Sequence, residues 1–253
     1  MHKLTFLGTG AADWDINNKT VEFRRFSSAL VDDNLLIDPG PHIFDFASDF
    51  KDAYFFDNVT DVIVTHSHRD HFCPETVKKL AEKQKIRLGC DIHVQKILGE
   101  INNVECVIFE PYKTTVMGNY EITPMWANHH MDDLSEVAFH YIIKCGEKKV
   151  FYGCDGAWFL RPTWHEMKKH RFDVMVLECT VGDSHDWRIF EHNTIPMLRM
   201  IKEEIDAQKL VKEVGKVFAS HMARTLHESH AKTSEILEEI GVIAAYDGLV
   251  VDF

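Results

Sequence analysis

One short segment constrains this chain more than any other: residues 62–71, where an apolar Val-Ile-Val-Thr stretch runs into His-Ser-His-Arg-Asp-His. In an extended segment, side chains two residues apart point the same way, so His66 and His68 can reach one ion together. A turn after this pair would let Asp70 and His71 face a second ion. Imidazole nitrogens and carboxylate oxygens suit Zn²⁺, Mn²⁺ or Fe²⁺. The segment therefore predicts a metal site at the end of a β-strand.

Strand-like and helix-like patterns are interleaved along the whole chain. Runs rich in β-branched and aromatic residues predict strands, and apolar residues at helical spacing predict helices. The predicted strands are residues 3–7, 28–31, 34–37, 59–65, 91–94, 104–109, 120–125, 137–144, 149–152, 174–177, 216–219 and 249–252, and the predicted helices are about 74–84, 193–207 and 233–240. No linker-like stretch divides the sequence. We therefore expect a layered α/β sandwich that forms one domain over residues 1–253.

The His-x-His-x-Asp-His motif after an apolar strand resembles the signature of the metallo-β-lactamase superfamily. The resemblance covers nearly the whole chain and implies a four-layer αββα sandwich with metal ions at one edge. It also implies three further ligands, each following a strand: a histidine, an acidic residue and a last histidine. His129, Asp155 and His221 are the candidates in that order. His130 competes with His129, but Asn-His directly after the strand resembles the family's phosphodiesterase-like branch and favours His129.

The same resemblance implies a complete two-metal centre. The seven expected ligands are His66, His68 and His129 on one ion, Asp70, His71 and His221 on the other, and Asp155 bridging the two. The ions would be Zn or Mn, with Fe as a further option. Such a pair can share a hydroxide and hold it near neutral pH. Because these side chains carry little net charge against two divalent ions, the centre suits an anionic ester.

Further side chains are candidates for roles around this centre. The resemblance places Asp38 beneath the metals, where it would orient a ligand histidine. His192 precedes a predicted helix and resembles a histidine that ribonuclease Z-like and cyclic-phosphodiesterase-like members place near the leaving group. It would act as a general acid and counts as catalytic together with Asp70, whereas the alternative is a surface histidine at a helix start. Arg224 could contact an anionic substrate, and His227 could approach the site.

Composition restricts the partners that the chain can have. Its 253 residues include 28 Lys and Arg against 40 Asp and Glu, a formal net charge of −12, and no dense basic run. Such a chain repels nucleic acid, and no apolar run approaches the ~20 residues of a membrane span. Six scattered cysteines and the absence of a signal-peptide pattern predict a cytoplasmic protein with reduced thiols. We expect a small anionic substrate and neither a nucleic acid nor a membrane partner, and a homodimer is left open.

Ligand order and the surroundings of His192 resemble the branch that contains ribonuclease Z and the phosphoribosyl 1,2-cyclic phosphate phosphodiesterase. The chain departs from both, since it has neither a glycine- and proline-rich insert for gripping transfer RNA nor a cysteine-rich structural zinc insertion. The expected function is attack of a metal-bridging hydroxide on a small phosphodiester or cyclic phosphate. Two alternatives stay open: a carboxylic ester, lactone or thioester hydrolase, and a non-hydrolytic di-iron redox protein.

Overall fold

Two β-sheets of seven strands each form the centre of the computed structural model, which describes residues 1–17, 19, 20, 22–50, 52 and 54–253. The strands are β1 Lys3–Gly8, β2 Ser28–Val31, β3 Leu35–Ile37, β4 Asp61–Ile63, β5 Ile86–Cys90, β6 Val104–Ile108, β7 Thr115–Met117, β8 Tyr120–Trp126, β9 Phe139–Cys145, β10 Lys148–Gly153, β11 Phe172–Glu178, β12 Val211–Ser220, β13 Ile243–Ala244 and β14 Val250–Asp252. The helices are α1 Ile43–Asp49, α2 Pro74–Ala81, α3 Ile92–Leu98, α4 Arg161–Met167, α5 Ile195–Ala207 and α6 His230–Glu238, with a 3-10 helix at Trp187–Phe190.

Each sheet combines antiparallel and parallel strands. The first has the order β14-β1-β2-β3-β4-β5-β6, and β3 to β6 run parallel to one another. The second has the order β13-β12-β11-β10-β9-β8-β7, and β10 to β13 run parallel. Parallel neighbours require crossover connections, and helices supply most of them. As a result, loops that follow parallel strands collect at one edge of each sheet.

The apolar side chains divide into three clusters that define four layers. Alternate residues of a strand face opposite sides, so on β9 Tyr141 packs between the sheets while Ile142 packs outward. Helices α1, α2 and α3 cover the outer face of the first sheet, and α4, α5 and α6 cover that of the second. Burial of each large apolar side chain contributes about 1.5–3 kcal/mol. The predicted αββα sandwich is confirmed.

One predicted strand is wrong. Residues 91–94 begin helix α3, because the Asp91 side chain accepts a hydrogen bond from the main-chain nitrogen of His93 at 2.8 Å and caps the helix. The strand of this region is β5, which ends one residue before Asp91. Local β-propensity at Ile92 and Val94 is therefore overridden by the capping residue and by the burial of Val94 against the first sheet.

Two further expectations from the sequence concern membrane-spanning segments and the state of the cysteines. No helix in the part of the chain that the structure describes is long and apolar enough to cross a membrane. The six cysteines are all free thiols, and four of them are buried. Burial raises the pKa of the Cys179 thiol well above its ordinary value, so this side chain is not an activated nucleophile.

A tight turn after β3 packs directly against the metal-binding motif. At Gly40, an added Cβ atom would come 2.5 Å from the main-chain oxygen of Asp70. We expect Gly40→Ala to lower the free energy of unfolding by about 1–3 kcal/mol, because the contact is with backbone and one of the two segments must shift. Urea unfolding measures the change. An unchanged unfolding midpoint would show that the turn and the motif move apart without cost.

Candidate metal centre

Loops at one edge of the sandwich bring the seven predicted ligand side chains together. His66 to His71 follow β4 of the first sheet, whereas the other three ligands follow β8, β10 and β12 of the second. The two sheets are tied at this edge: the main-chain nitrogen of Phe139 donates to Thr65 oxygen at 2.9 Å, and the Tyr141 hydroxyl donates to Val64 oxygen. The motif loop and the strand ends of the other sheet are therefore held in contact.

Three histidines form the first cluster of donor atoms. Nδ1 of His68 lies 3.1 Å from Nε2 of His66 and 3.1 Å from Nε2 of His129. Oδ2 of Asp155 lies 3.7 Å from Nε2 of both His66 and His129. Ligands around one zinc ion at 2.0–2.1 Å in tetrahedral geometry stand about 3.3 Å apart. The spacing of these four atoms is that of donors to a single ion.

The second cluster joins the rest of the motif to the last predicted histidine. Oδ1 of Asp155 lies 3.3 Å from Nε2 of His71 and 3.0 Å from Nε2 of His221. Oδ2 of Asp70 lies 3.3 Å and 3.5 Å from the same two nitrogens. Asp155 thus directs one oxygen to each cluster. This is the arrangement that a bridging carboxylate requires.

The structure separates the two neighbouring candidates, His129 and His130. The His129 side chain is only 2% exposed and its Nε2 points into the first cluster. His130 is exposed and belongs to neither group of potential ligands. Of the two, His129 is the residue that could hold an ion with His66 and His68.

Buried carboxylates behind the centre orient three of the histidine rings. One ring contacts its carboxylate directly, and the other two are linked to theirs through a threonine hydroxyl. Nδ1 of His71 contacts Oδ2 of Asp38 directly at 2.9 Å. Nδ1 of His66 contacts the hydroxyl of Thr65, which itself donates to Asp38. A second chain of this kind links His221 to Glu178 through Thr180, as described below. With Nδ1 acting as the donor, each ring presents a lone pair at Nε2, which is the form that binds metal.

Thr180 performs for His221 the function that Thr65 performs for His66. Its hydroxyl lies 2.8 Å from Nδ1 of His221 and donates to Oε2 of Glu178 at 2.6 Å. Glu178 is 1% exposed, so its charge is not screened by water. No sequence pattern predicts a functional role for Thr65 or Thr180, although Thr65 directly precedes His66.

The electrostatics of the centre favour a bound cation. Burial lowers the pKa of His66 well below its ordinary value and that of His129 to about 3, so both rings are neutral. Burial alone would raise the pKa of Asp155, but His221 and His71 hold it well below its usual range. Burial also opposes charge on His221, yet Asp155 and Asp70 raise its pKa to about 9. His66 and His129 are therefore already in the neutral form that binds metal. The carboxylate charge that favours a proton on His221 is charge that divalent ions in the two clusters would balance in place of that proton.

Three side chains of the site are placed by backbone in the left-handed region, which is uncommon for residues other than glycine. The φ angles are 56° at Asp38, 25° at Asp155 and 55° at His221. Each residue closely follows a strand, and the unusual φ turns its side chain toward the centre. Such conformations cost on the order of 1–3 kcal/mol and gather at functional sites.

Glu136 supports the motif from a distance of 69 residues along the chain. Its carboxylate accepts hydrogen bonds from the main-chain nitrogen of Ser67 at 2.7 Å and from the Ser67 hydroxyl at 2.6 Å. Ser67 stands between His66 and His68, so this contact fixes the extended conformation that lets both rings face one ion. The sequence offers no signal for the pairing, because the contact joins two loops from different sheets.

His192 lies beside both clusters. Its ring centroid is 5.1 Å from that of His129 and 5.6 Å from that of His221. Nδ1 lies 3.2 Å from the Thr180 hydroxyl and 3.6 Å from Oε1 of Glu178. Burial lowers the pKa of His192, but Glu178 raises it more, and the result lies above the ordinary value. The ring is buried, contrary to the surface alternative.

A cavity of about 190 Å³ opens over the centre. Its wall includes His68, Asp70, Asp155 and His192, together with Arg188 from the 3-10 helix. Arg188 donates from Nε and Nη2 to the two oxygens of Asp186, at 2.7 Å and 2.9 Å, and Nη1 is not part of that pair. Sequence reasoning missed this arginine, which has no motif around it.

Two of the predicted outer residues lie away from the cavity. Arg224 is exposed and is held by Asp13, whose main-chain oxygen accepts from Nε at 3.1 Å. Nε2 of His227 contacts the main-chain oxygen of Cys179 at 2.6 Å and the nitrogen of Gly182 at 3.2 Å. Neither side chain lines the cavity. Arg188 holds the position that the sequence reasoning gave to Arg224, and His227 supports the turn that carries Thr180.

Removing the hydroxyl of Thr180 tests the orienting contacts. Thr180→Val keeps the shape of the side chain but leaves Nδ1 of His221 without its acceptor, so we expect metal affinity to fall about 10–100-fold. Competition with a chelating dye measures it. Thr163→Val is the matched control, since Thr163 is also fully buried and donates to Trp126 oxygen. Equal affinities in the two variants would contradict the role given to Thr180.

Comparison with known proteins places this geometry in a family. The family model described as a beta-lactamase superfamily domain matches residues 33–241, whereas no curated protein matches the chain. The solved structures that are similar to this chain include three that match over nearly all of both chains. The metallo-beta-lactamase fold protein YhfI from Bacillus subtilis is 17% identical, with a TM-score of 0.77, and covers 99% of this chain and 98% of its own.

The other two structures have lower TM-scores but cover both chains to a similar extent. Zn²⁺-bound PqqB from Methylobacterium extorquens is 16% identical, with a TM-score of 0.74 and full coverage of both chains. Human tRNase Z, short form, is 14% identical, with a TM-score of 0.69, and covers 99% of this chain and 98% of its own. Identities this low show the fold alone, and the family model supplies the membership. The chain belongs to the beta-lactamase superfamily and has the metallo-β-lactamase fold.

Proposed function

We propose that the protein is a metal-dependent hydrolase of small anionic phosphodiesters or cyclic phosphates. The observation that carries this proposal is the convergence of seven donor side chains into two clusters that share Asp155, beside an open cavity. Five imidazoles and two carboxylates suit Zn or Mn, and also Fe. Two such ions would supply Lewis acidity toward phosphoryl oxygens and a water of lowered pKa.

The residues around the clusters are suited to a charged ester. His66, His68 and His129 would hold one ion, Asp70, His71 and His221 the other, and Asp155 both. Asp38 and Glu178 keep the rings in their metal-binding tautomer through the contacts described above. Arg188 faces the cavity with a guanidinium whose Nη1 is not paired with Asp186. An anionic group in the cavity would therefore be attracted by the Arg188 guanidinium as well as by the metal ions.

His192 is placed to protonate the departing oxygen. Its Nδ1 is engaged with Thr180 and Glu178, which leaves Nε2 as the nitrogen available to the cavity. An alkoxide that leaves a phosphodiester is a poor leaving group, and its departure is faster when a positioned acid supplies a proton. This arrangement favours phosphodiesters with alkyl leaving groups over thioesters, whose thiolates leave without protonation.

A substrate panel tests the proposed function. The purified protein is loaded with Zn or Mn and assayed with bis-p-nitrophenyl phosphate, an aliphatic lactone and a glutathione thioester. We expect the phosphodiester to have the highest kcat/KM, and we expect chelation to abolish activity and re-addition of metal to restore it. A higher kcat/KM for the lactone or thioester would overturn the phosphodiesterase assignment. Activity that survives complete metal removal would overturn the metal dependence.

A further inference from the structure

The carboxylate of Glu191 lies in the cavity wall beside the proposed general acid. Glu191 follows the 3-10 helix and directly precedes His192, and both side chains line the cavity over the metal centre. Glu191 is half-buried, and within the residues that the structure describes its carboxylate takes part in no hydrogen bond or ion pair. This carboxylate is therefore available to a ligand in the cavity.

Glu191 belongs to a third group of potential metal ligands, beside the two clusters. Donor atoms of Glu191, His192 and His129 lie within 4.8 Å of one another. Two ligands of one zinc ion stand about 3.3 Å apart, so a movement of about 1.5 Å or less brings such atoms to bonding distance. Rotation of the unpaired Glu191 side chain between its rotamers provides a movement of this size. The spacing is that of a cation site closed by one flexible side chain.

His192 presents one nitrogen to this group. The Thr180 hydroxyl donates its proton to Glu178, so it accepts from Nδ1 of His192. With Nδ1 fixed as the donor, Nε2 either carries the proton that a general acid delivers or presents a lone pair to the cavity. A metal ion bound at Nε2 takes the place of that proton.

The third member of the group, His129, is already a ligand of the first cluster. Its Nε2 lies 3.1 Å from Nδ1 of His68 and 3.7 Å from Oδ2 of Asp155. A further ion is therefore left with two ligands from the protein, Glu191 and His192. Because stable zinc sites in proteins have three or four protein ligands, this site is weaker than the pair and fills after it.

The charge around the centre permits one more cation. Four buried carboxyl groups lie in the two clusters or directly behind them, namely Asp38, Asp70, Asp155 and Glu178. When ionised, they balance the four positive charges of two divalent ions. Arg188, the cation of the same cavity wall, is paired with Asp186 at 2.7 Å. The charge of Glu191 is then left for a third ion.

We infer that Glu191 and His192 form a third, weaker site for a divalent cation such as Zn²⁺, and that filling it inhibits the enzyme. This inference rests on the proposed function, to which it adds regulation by the concentration of free metal. The ion forms bonds to Nε2 of His192 and to a carboxylate oxygen of Glu191, and the Nε2 proton is released to solvent. His192 then has no proton to give to a departing oxygen.

Equilibrium dialysis of the zinc-loaded protein against buffered concentrations of free Zn²⁺ tests the site without requiring turnover. Plasma mass spectrometry counts the ions bound to each chain. We expect the wild-type protein to take up one ion beyond the pair as free zinc rises. In Glu191→Gln and in His192→Ala, the midpoint of this uptake should rise at least about tenfold, because each variant loses one of two ligands. Retention of the tight pair shows that the variants are folded.

A glutamate outside the cavity wall provides the matched control. Glu204 is exposed on α5, and Glu204→Gln should take up the additional ion at the wild-type midpoint. Over the same range of free zinc, kcat of the wild-type protein with an alkyl phosphodiester should fall. Glu191→Gln should need at least about tenfold more zinc for the same fractional loss of kcat.

Three results would overturn the inference. They are a wild-type protein that binds no ion beyond the pair, uptake of the additional ion that is unchanged without Glu191 or His192, and a kcat that stays constant while that ion binds. Failure to hydrolyse any phosphodiester would instead refute the proposed function, while the dialysis still decides whether the site exists.

Discussion

Asp155→Ala is expected to abolish stable binding of the ion pair and to reduce the rate of hydrolysis at least about a thousandfold. Among the residues that the structure describes, Asp155 is the only one with a side-chain oxygen in each donor cluster, and it is 4% exposed. Without it, five imidazoles converge on a space that holds a single remaining carboxylate, Asp70. Metal content by plasma mass spectrometry and kcat with a phosphodiester measure the two effects.

A surface aspartate provides the control for this substitution. Asp206→Ala removes an exposed carboxylate that pairs with Lys202 at 2.6 Å, and should leave metal content and kcat unchanged. Circular dichroism of both variants establishes that they are folded. An Asp155→Ala protein that is folded and retains two ions per chain would show that Asp155 does not bridge them.

His192→Ala is expected to have an effect that depends on the leaving group. With an alkyl phosphodiester, kcat should fall about 10²–10⁴-fold, because the alkoxide then departs without a proton. With bis-p-nitrophenyl phosphate the loss should be less than about tenfold, since p-nitrophenolate is stable as an anion. The slope of log kcat against leaving-group pKa measures the difference.

The exposed His185 provides the matched control for this experiment. His185→Ala removes the same side chain from outside the cavity wall and should leave both rates unchanged. If His192→Ala lowers kcat equally for alkyl and p-nitrophenyl esters, the ring supports the site but transfers no proton. Unchanged rates with both esters would remove His192 from the mechanism altogether.

Sequence reasoning succeeded where chemistry and position are encoded locally. His66, His68, Asp70 and His71 fall within six residues after an apolar strand, so their convergence follows from the strand and one turn. The layered fold follows from alternation within strands such as β9. The places of the distant ligands needed the family resemblance, because nothing local brings the end of β12 to the end of β4.

Contacts between separate loops could not be predicted. Glu136 reaches Ser67 across the two sheets, and Arg188 enters the cavity from a 3-10 helix that has no sequence signature. Arg224 was expected at the site because it closely follows a ligand, yet its side chain is exposed and donates to the main-chain oxygen of Asp13. The ring-orienting roles of Thr65 and Thr180 could not be predicted from the sequence, because a threonine beside a buried carboxylate is common in proteins without a metal.

The most direct test of the account is a crystal structure of the metal-loaded protein with anomalous diffraction data collected at the zinc or manganese edge. The account predicts two strong peaks per chain, one among His66, His68 and His129 and the other among Asp70, His71 and His221, with Asp155 in contact with both. It would be contradicted by the absence of any peak at these side chains in fully loaded crystals, or by metal bound only elsewhere on the chain.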